Sequence, residues 1–140
     1  MADPFLILIT DRNRHVRDYL CRELSAEGYL TSEARDDQEL KEIIFGPEPP
    51  DLLILDPELP SASAGGIMDL FAQRTPPLPV VIHSILTEFA DHPLLKGQAA
   101  FVEKKGQHIN ELKAAIAALL GQRQPVCLAR ISNGQTAARR

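Results

Sequence analysis

A doubly wound α/β fold, five parallel strands with helices on both faces of the sheet, is the architecture this sequence predicts. Three observations carry that expectation. Short apolar runs alternate along the chain with segments of helical spacing. The runs are continuous instead of alternating with polar residues, as expected of strands covered on both faces. Glycines and prolines fall between the segments, where the turns of such a fold belong.

The first run, Phe5-Leu6-Ile7-Leu8-Ile9, predicts a buried strand. Residues 14–27 then change to helical spacing, with Val16, Leu20 and Leu24 four apart and Tyr19 beside them. Gly28 ends this helix as a C′ glycine. Residues 29–34 predict a second strand. Residues 37–45 predict a helix with Leu40, Ile43 and Ile44 on one side, closed by Gly46 and followed by Pro47, Pro49 and Pro50. Leu52-Leu53-Ile54-Leu55 is the third strand and residues 57–66 its loop. A third helix over 67–73 buries Ile67, Leu70 and Phe71. Pro76, Pro77 and Pro79 lead into a fourth strand over 80–82. Residues 86–96 predict a short irregular helix broken near Pro93. A fifth strand covers 99–102. Ile109, Leu112, Ala115, Ile116, Leu119 and Leu120 define the fifth and best amphipathic helix, capped by Gly121.

Composition narrows the function classes. The chain has 140 residues, enough for one domain with a core of its own, and no second domain or internal repeat is expected. No apolar run approaches the ~20 residues of a membrane span. The opening MADPFLILITDR has no basic segment before its apolar run and no small-residue cleavage site after it, so a cytoplasmic location is expected. Cys21 and Cys127 are too few and too far apart for a disulfide framework or a zinc site, and Cys21 falls in a helical pattern as a packing residue. The net charge of −4 divides as −8 on residues 1–121 and +4 on residues 122–140, where Arg123, Arg130, Arg139 and Arg140 stand without an acid. An acidic body argues against nucleic acid as the main ligand. The basic tail lacks helical periodicity, and disorder is expected from 122 to 140.

In doubly wound sheets ligands bind beyond the carboxyl ends of the strands, near the point where the strand order reverses. The predicted strand ends carry Asp11, Asp56, Ser84 and Lys104. With a flavodoxin-like strand order the four converge on one edge. A carboxylate there can act as a nucleophile and form an acyl phosphate, an ammonium can neutralise the oxygens of a transferring phosphoryl group, and a hydroxyl can hydrogen-bond it once attached. Each residue also has a plainer reading. Asp56 could cap the following turn, Lys104 could be a solvated surface lysine like its neighbour Lys105, and a serine after a strand is common. His15, His83, His92 and His108 lack ligand spacing and read as core or surface side chains.

These segments, taken in order, resemble response-regulator receiver domains of two-component systems. FLILITD resembles the family's first strand with its acidic end. DLLILDPELP resembles the acceptor strand, with Asp56 followed four residues later by Pro60. Gly65-Gly66-Ile67 resembles the start of the third helix, VVIHS the fourth strand with its hydroxyl residue, and GQAAFVEKK the fifth strand with its aromatic and lysine. The resemblance spans roughly residues 4–121. It implies Asp56 as phosphoacceptor, Asp11 as an acidic-pocket residue, and Ser84 and Phe101 as switch residues. Lys104 would pair with Asp56 and then with its phosphoryl group. Mg²⁺ would be held by Asp11, Asp56 and the backbone carbonyl of Glu58. A histidine kinase would be the donor. A protein partner would bind the face around the fourth strand, fourth helix, fifth strand and fifth helix, and a homodimer is a further option.

The sequence departs from that family at identifiable places. The first strand of the family ends in two adjacent acids, but Arg12 holds the second position here. A guanidinium cannot ligate Mg²⁺ and repels it. Arg12 could pair with Asp56 or Asp11, or turn outward. Glu58, two residues past Asp56, could pair with Arg12. Ile85 replaces a small residue after Ser84, Lys105 replaces a proline after Lys104, and Phe101 lacks a tyrosine hydroxyl. Three functions follow for comparison. One is a stand-alone phosphoacceptor, with no DNA-binding or enzymatic output domain expected. The second is a receiver-like protein-binding module that is never phosphorylated. The third is an unrelated enzyme or nucleotide binder, disfavoured because no GxGxxG or GxxxxGK[ST] is present.

Overall fold

Each apolar run becomes a strand because helices bury it from both sides. The computed structural model describes residues 4–58, 77–85, 99–104 and 109–121, with 123 and 125. In it β1 (Leu6–Thr10), β2 (Leu30–Ala34), β3 (Leu52–Leu55), β4 (Val80–Ser84) and β5 (Ala99–Glu103) form one sheet in the order β2-β1-β3-β4-β5. All four neighbouring pairs are parallel. The central strands β1, β3 and β4 are buried along their whole length, whereas the edge strand β5 is mostly half-buried.

Three described helices flank the sheet: α1 (Arg14–Ala26), α2 (Asp37–Ile44) and α3 (Asn110–Leu120), the last being the fifth helix of the sequence reading. Strand alternation sorts the core into two layers. Ile7, Ile9, Ile54 and Val81 pack with Leu20 and Leu24 of α1 and with Leu112, Ile116 and Leu120 of α3. Leu8, Leu53, Leu55, Val80 and Ile82 pack with Leu40 and Ile44 of α2. Helices therefore cover both faces, as the continuous apolar strands predict.

Local signals set the helix ends. Asn13 has extended backbone and its side chain accepts a hydrogen bond from the His15 N–H at 2.8 Å, starting α1. Gly28, at φ 98, takes the left-handed conformation that follows the helix. Asp36 accepts from the Glu39 N–H at 2.9 Å while Glu39 accepts from the Arg35 N–H at 2.9 Å, a reciprocal cap on α2. A Cβ on Gly46 would lie 2.6 Å from the Glu42 carbonyl, so the turn leaving α2 needs glycine.

The boundaries differ from the sequence reading by one or two residues, for polar reasons. β1 runs one residue later than the apolar run and ends on Thr10, which is buried because its hydroxyl donates to the Ile54 carbonyl at 2.9 Å. β4 continues through the polar but buried His83 and Ser84. At the opposite end of the sheet Asp51 joins β1 to β3: its carboxylate accepts from the Leu6 N–H and its own N–H donates to the Leu6 carbonyl, both at 2.8 Å. The segment expected to be a disordered tail is still packed on the body at Arg123, whose N–H donates to the Leu120 carbonyl at 2.7 Å, and at the buried Pro125. The predicted helix over 67–73, the irregular segment 86–96, Pro60, Gly65, Gly66, Lys105 and the rest of the tail lie outside the described residues. Among the described residues no helix is long and apolar enough to cross a membrane.

Candidate functional site at the carboxyl edge of the sheet

The chain leaves β1 toward β2 on one side and reaches β3 on the other, so the strand order reverses between β1 and β3. Asp11 and Asp56 follow these two strands directly and are both buried, at 2% and 1% exposure. Thr10 fixes their relation, because its hydroxyl accepts from the Asp56 N–H at 3.1 Å while donating across to β3.

Each aspartate folds its own turn. Asp11 Oδ1 accepts from the Asn13 N–H at 2.8 Å, and Asp56 Oδ1 accepts from the Glu58 N–H at 2.9 Å. The plainer reading of Asp56 as a turn cap is thus true of one of its oxygens. The other, Oδ2, accepts from the Arg12 N–H at 3.1 Å and from Arg12 Nε at 3.4 Å. The same guanidinium reaches on to Glu58, with Nη2 3.0 Å from Oε1. Arg12 therefore neither points away nor pairs with Asp11: it bridges Asp56 and Glu58. The anticipated Arg12–Glu58 pair is present.

Lys104 requires a correction. The resemblance implied a pair with Asp56, but Lys104 Nζ stands 2.6 Å from Asp11 Oδ2. The reason is competition: Arg12 already neutralises Asp56, and Asp11 would otherwise keep a buried, uncompensated carboxylate. Ser84, the last residue of β4, is fully buried, and its carbonyl accepts from the Lys104 N–H at 2.9 Å, tying the ends of β4 and β5 together. Phe101 is half-buried against the layer that includes α2. Ile85 is exposed.

Two further polar residues belong here: Arg17, which the sequence reading did not name, and His83, which it read as a core or surface side chain. Arg17 of α1 is buried; its Nη1 donates to the Asp11 carbonyl at 2.7 Å and its Nε to Glu33 at 3.0 Å. Its signal was available, because Arg17 shares the buried stripe of Leu20 and Leu24, where a cation needs partners. His83 is buried beneath the edge, and its Nδ1 has no hydrogen-bond partner among the described residues. Burial, and secondarily the charge of Lys104, pushes its imidazole down to about 4, so it is neutral near pH 7. Its signal was strand alternation: His83 shares parity with Val81 on the face packed against α1 and α3. Cys21 packs half-buried against that same layer, and burial raises its thiol to about 11, which fits a packing role.

The described residues do not fit Mg²⁺. That ion needs near-octahedral oxygen ligation at ~2.0–2.1 Å. Here Lys104 holds Asp11 and Arg12 holds Asp56, the two carboxylates that the resemblance assigned to the ion. Among the described residues no three His, Cys, Asp or Glu side chains are gathered as metal ligands. Two unit charges 4 Å apart near a protein surface interact by about 4 kcal/mol, and a divalent ion beside the guanidinium would meet about twice that repulsion before solvent screening. The half-exposed Arg12 softens this figure without changing its sign. A cavity of about 290 Å³ lies between Leu6, Ser32, Ile43 and Pro47, and no predicted site residue lines it.

With fold and site defined, comparison with solved structures places the architecture. The receiver domain of NtrX from Brucella abortus matches at 27% identity and TM-score 0.68, covering 83% of this chain and 98% of that one. The response regulator TrrA of Thermotoga maritima, solved in complex with Mg²⁺-BeF, matches at 24% identity and TM-score 0.70, covering 83% and 99%. The complex of the histidine kinase ThkA with the response regulator TrrA provides a further match, at 23% identity and TM-score 0.66, covering 84% and 99%. No protein-family model matches the sequence, and no curated protein matches it. The chain has the fold of response-regulator receiver domains, in agreement with the resemblance read from its strands.

Proposed function

We propose that this chain is a phosphoacceptor of two-component signalling, modified on Asp56 and acting through a change in partner affinity. The observation that carries the reading is the placement of Asp56: a buried carboxylate at the strand-order reversal, flanked by one guanidinium and close to a second cation on Asp11. Phosphoryl transfer needs a positioned nucleophile and fixed positive charge around the transferring oxygens, and little other covalent chemistry. An Asp56 oxygen attacks phosphorus, the bond between phosphorus and the donor breaks, and the donor leaves with the electron pair. Arg12 and Lys104 are the cations at hand, and Ser84 supplies a hydroxyl at the end of β4. Modification then shifts a balance between two conformations already open to the fold.

The donor in this proposal is a histidine kinase, in the cytoplasm. The kinase complex among the similar structures supports that class of partner. The output is a separate protein bound on the face of β4, the segment after it, β5 and α3, or a second copy of the chain. Nucleic acid and membrane are not expected ligands. The chain is not an enzyme beyond assisting its own phosphorylation and dephosphorylation.

Intact mass spectrometry after incubation with acetyl phosphate tests this reading. One phosphoryl increment, lost on hydroxylamine treatment and absent in Asp56→Asn, is the expected result. One observation favours a second reading, a receiver-like binding module that is never phosphorylated: both Asp56 oxygens already accept hydrogen bonds, and Arg12 closes one of them as an ion pair. No adduct with acetyl phosphate or with histidine-kinase donors would select that alternative.

A further inference from the structure

We propose that Arg12 is the built-in cation of this site, in the place a divalent ion would fill, and that Glu58 is the internal anion Arg12 releases when a phosphoryl group arrives on Asp56. The inference rests on the phosphoacceptor reading for its second half only. Its basis is one guanidinium bridging two carboxylates, with Nε at 3.4 Å from Asp56 and Nη2 at 3.0 Å from Glu58.

The two halves of that bridge are unequal. Toward Asp56 the contact is anchored, because the Arg12 backbone N–H bonds the same oxygen at 3.1 Å and the carboxylate is buried. Toward Glu58 it lies at the rim, with the guanidinium 54% and the Glu58 side chain 26% exposed. Exposed pairs are weak, so this half yields to a stronger anion. A phosphoryl group on Asp56 is such an anion. It carries two negative charges in place of the carboxylate's one, and three acceptor oxygens, within reach of a planar fork of N–H donors suited to them. Before transfer, Glu58 occupies the outer donors of the fork. Afterwards, Glu58 is set free at the rim, where its changed position can be sensed by a partner.

The charges balance without a metal. Asp56 as carboxylate and acetyl phosphate as dianion give an aspartyl phosphate dianion and acetate; one P–O bond forms, one breaks, and no proton moves. The local site gains one negative charge, which Arg12 is free to meet once Glu58 lets go. Lys104 stays on Asp11, the carboxylate that would otherwise be the nearest invitation to a divalent cation.

The first test needs no phosphorylation. Full-length protein is titrated with Mn²⁺ and the free ion followed by electron paramagnetic resonance. Wild type is expected to leave the free signal unchanged, whereas Arg12→Asp, which adds a carboxylate beside Asp11 and Asp56, binds Mn²⁺ at least about tenfold more tightly, a difference of about 1.4 kcal/mol. Circular dichroism checks that variant, and Arg12→Gln serves if it does not fold. Wild type that binds Mn²⁺ as well as the variant overturns the assignment. The second test times the acetyl phosphate adduct by intact mass. Wild type is expected to react equally fast in EDTA and in Mg²⁺, and Glu58→Gln faster than wild type. A rate that requires Mg²⁺, or one that Glu58→Gln lowers, overturns the proposal. Failure of every sample to form an adduct, with acetyl phosphate and with histidine-kinase donors alike, overturns the phosphoacceptor reading and the role given to Glu58, while the Mn²⁺ titration still decides the cation.

Discussion

Asp56 receives three donors, the N–H groups of Glu58 and Arg12 and the Nε of Arg12, and the residues around it are held just as closely. Arg17 is the clearest support. Replacing it with Met removes the donor to the Asp11 carbonyl and leaves Glu33 without its partner. A loss of about 2–3 kcal/mol is expected, measured as a lower urea midpoint. His83 makes a pH prediction. Its folded value of about 4 lies below the ordinary 6.5, so between these values the unfolded chain binds a proton that the folded chain refuses. Stability should therefore fall as pH drops from 6.5 toward 4, by at most about 3 kcal/mol from this group, and above 6.5 the effect disappears. His83→Leu should flatten that part of the pH profile in urea unfolding. A variant with the wild-type slope would show that His83 is not the group responsible.

At the scale of elements, caps and turns decide how the edge is built. Asn13 links the two scales, since it ends the Asp11 turn and starts α1. Asn13→Ala should cost about 1 kcal/mol in thermal or urea unfolding, the usual loss of a helix cap. The central strands β1, β3 and β4 were legible in the sequence because burial on both faces leaves no polar alternation to confuse with a helix. Their polar positions Thr10 and His83 were not, because each is polar and yet buried. Asp11, Asp56, Ser84 and Lys104 were legible as strand ends. Which cation meets which carboxylate was not, since it depends on two side chains competing across neighbouring strands. The Arg12–Glu58 pair was legible because local spacing after Asp56 places Glu58 within reach. Arg17 escaped because charged side chains are ordinarily assigned to the surface, and His83 was left between core and surface because its neighbours across the sheet decide its burial.

Across the whole molecule, the sheet separates the work of folding from that of the site. The two apolar layers lie along the strands, and the charged groups gather beyond the carboxyl ends of β1, β3 and β5. Ile54 sits in one of these layers, two residues before Asp56, fully buried between β1 and β4. Ile54→Ala should lower stability by about 2–5 kcal/mol with an unchanged urea m-value. The variant should still accept a phosphoryl group where it remains folded, because the turn of Asp56 is made by backbone donors. The most direct measurement of the central claim is to treat the protein with acetyl phosphate, reduce it with borohydride, and sequence the peptides by tandem mass spectrometry. Reduction turns an aspartyl phosphate into homoserine. Homoserine at position 56 and at no other aspartate is the predicted result; an unmodified Asp56, or conversion elsewhere, would contradict the account.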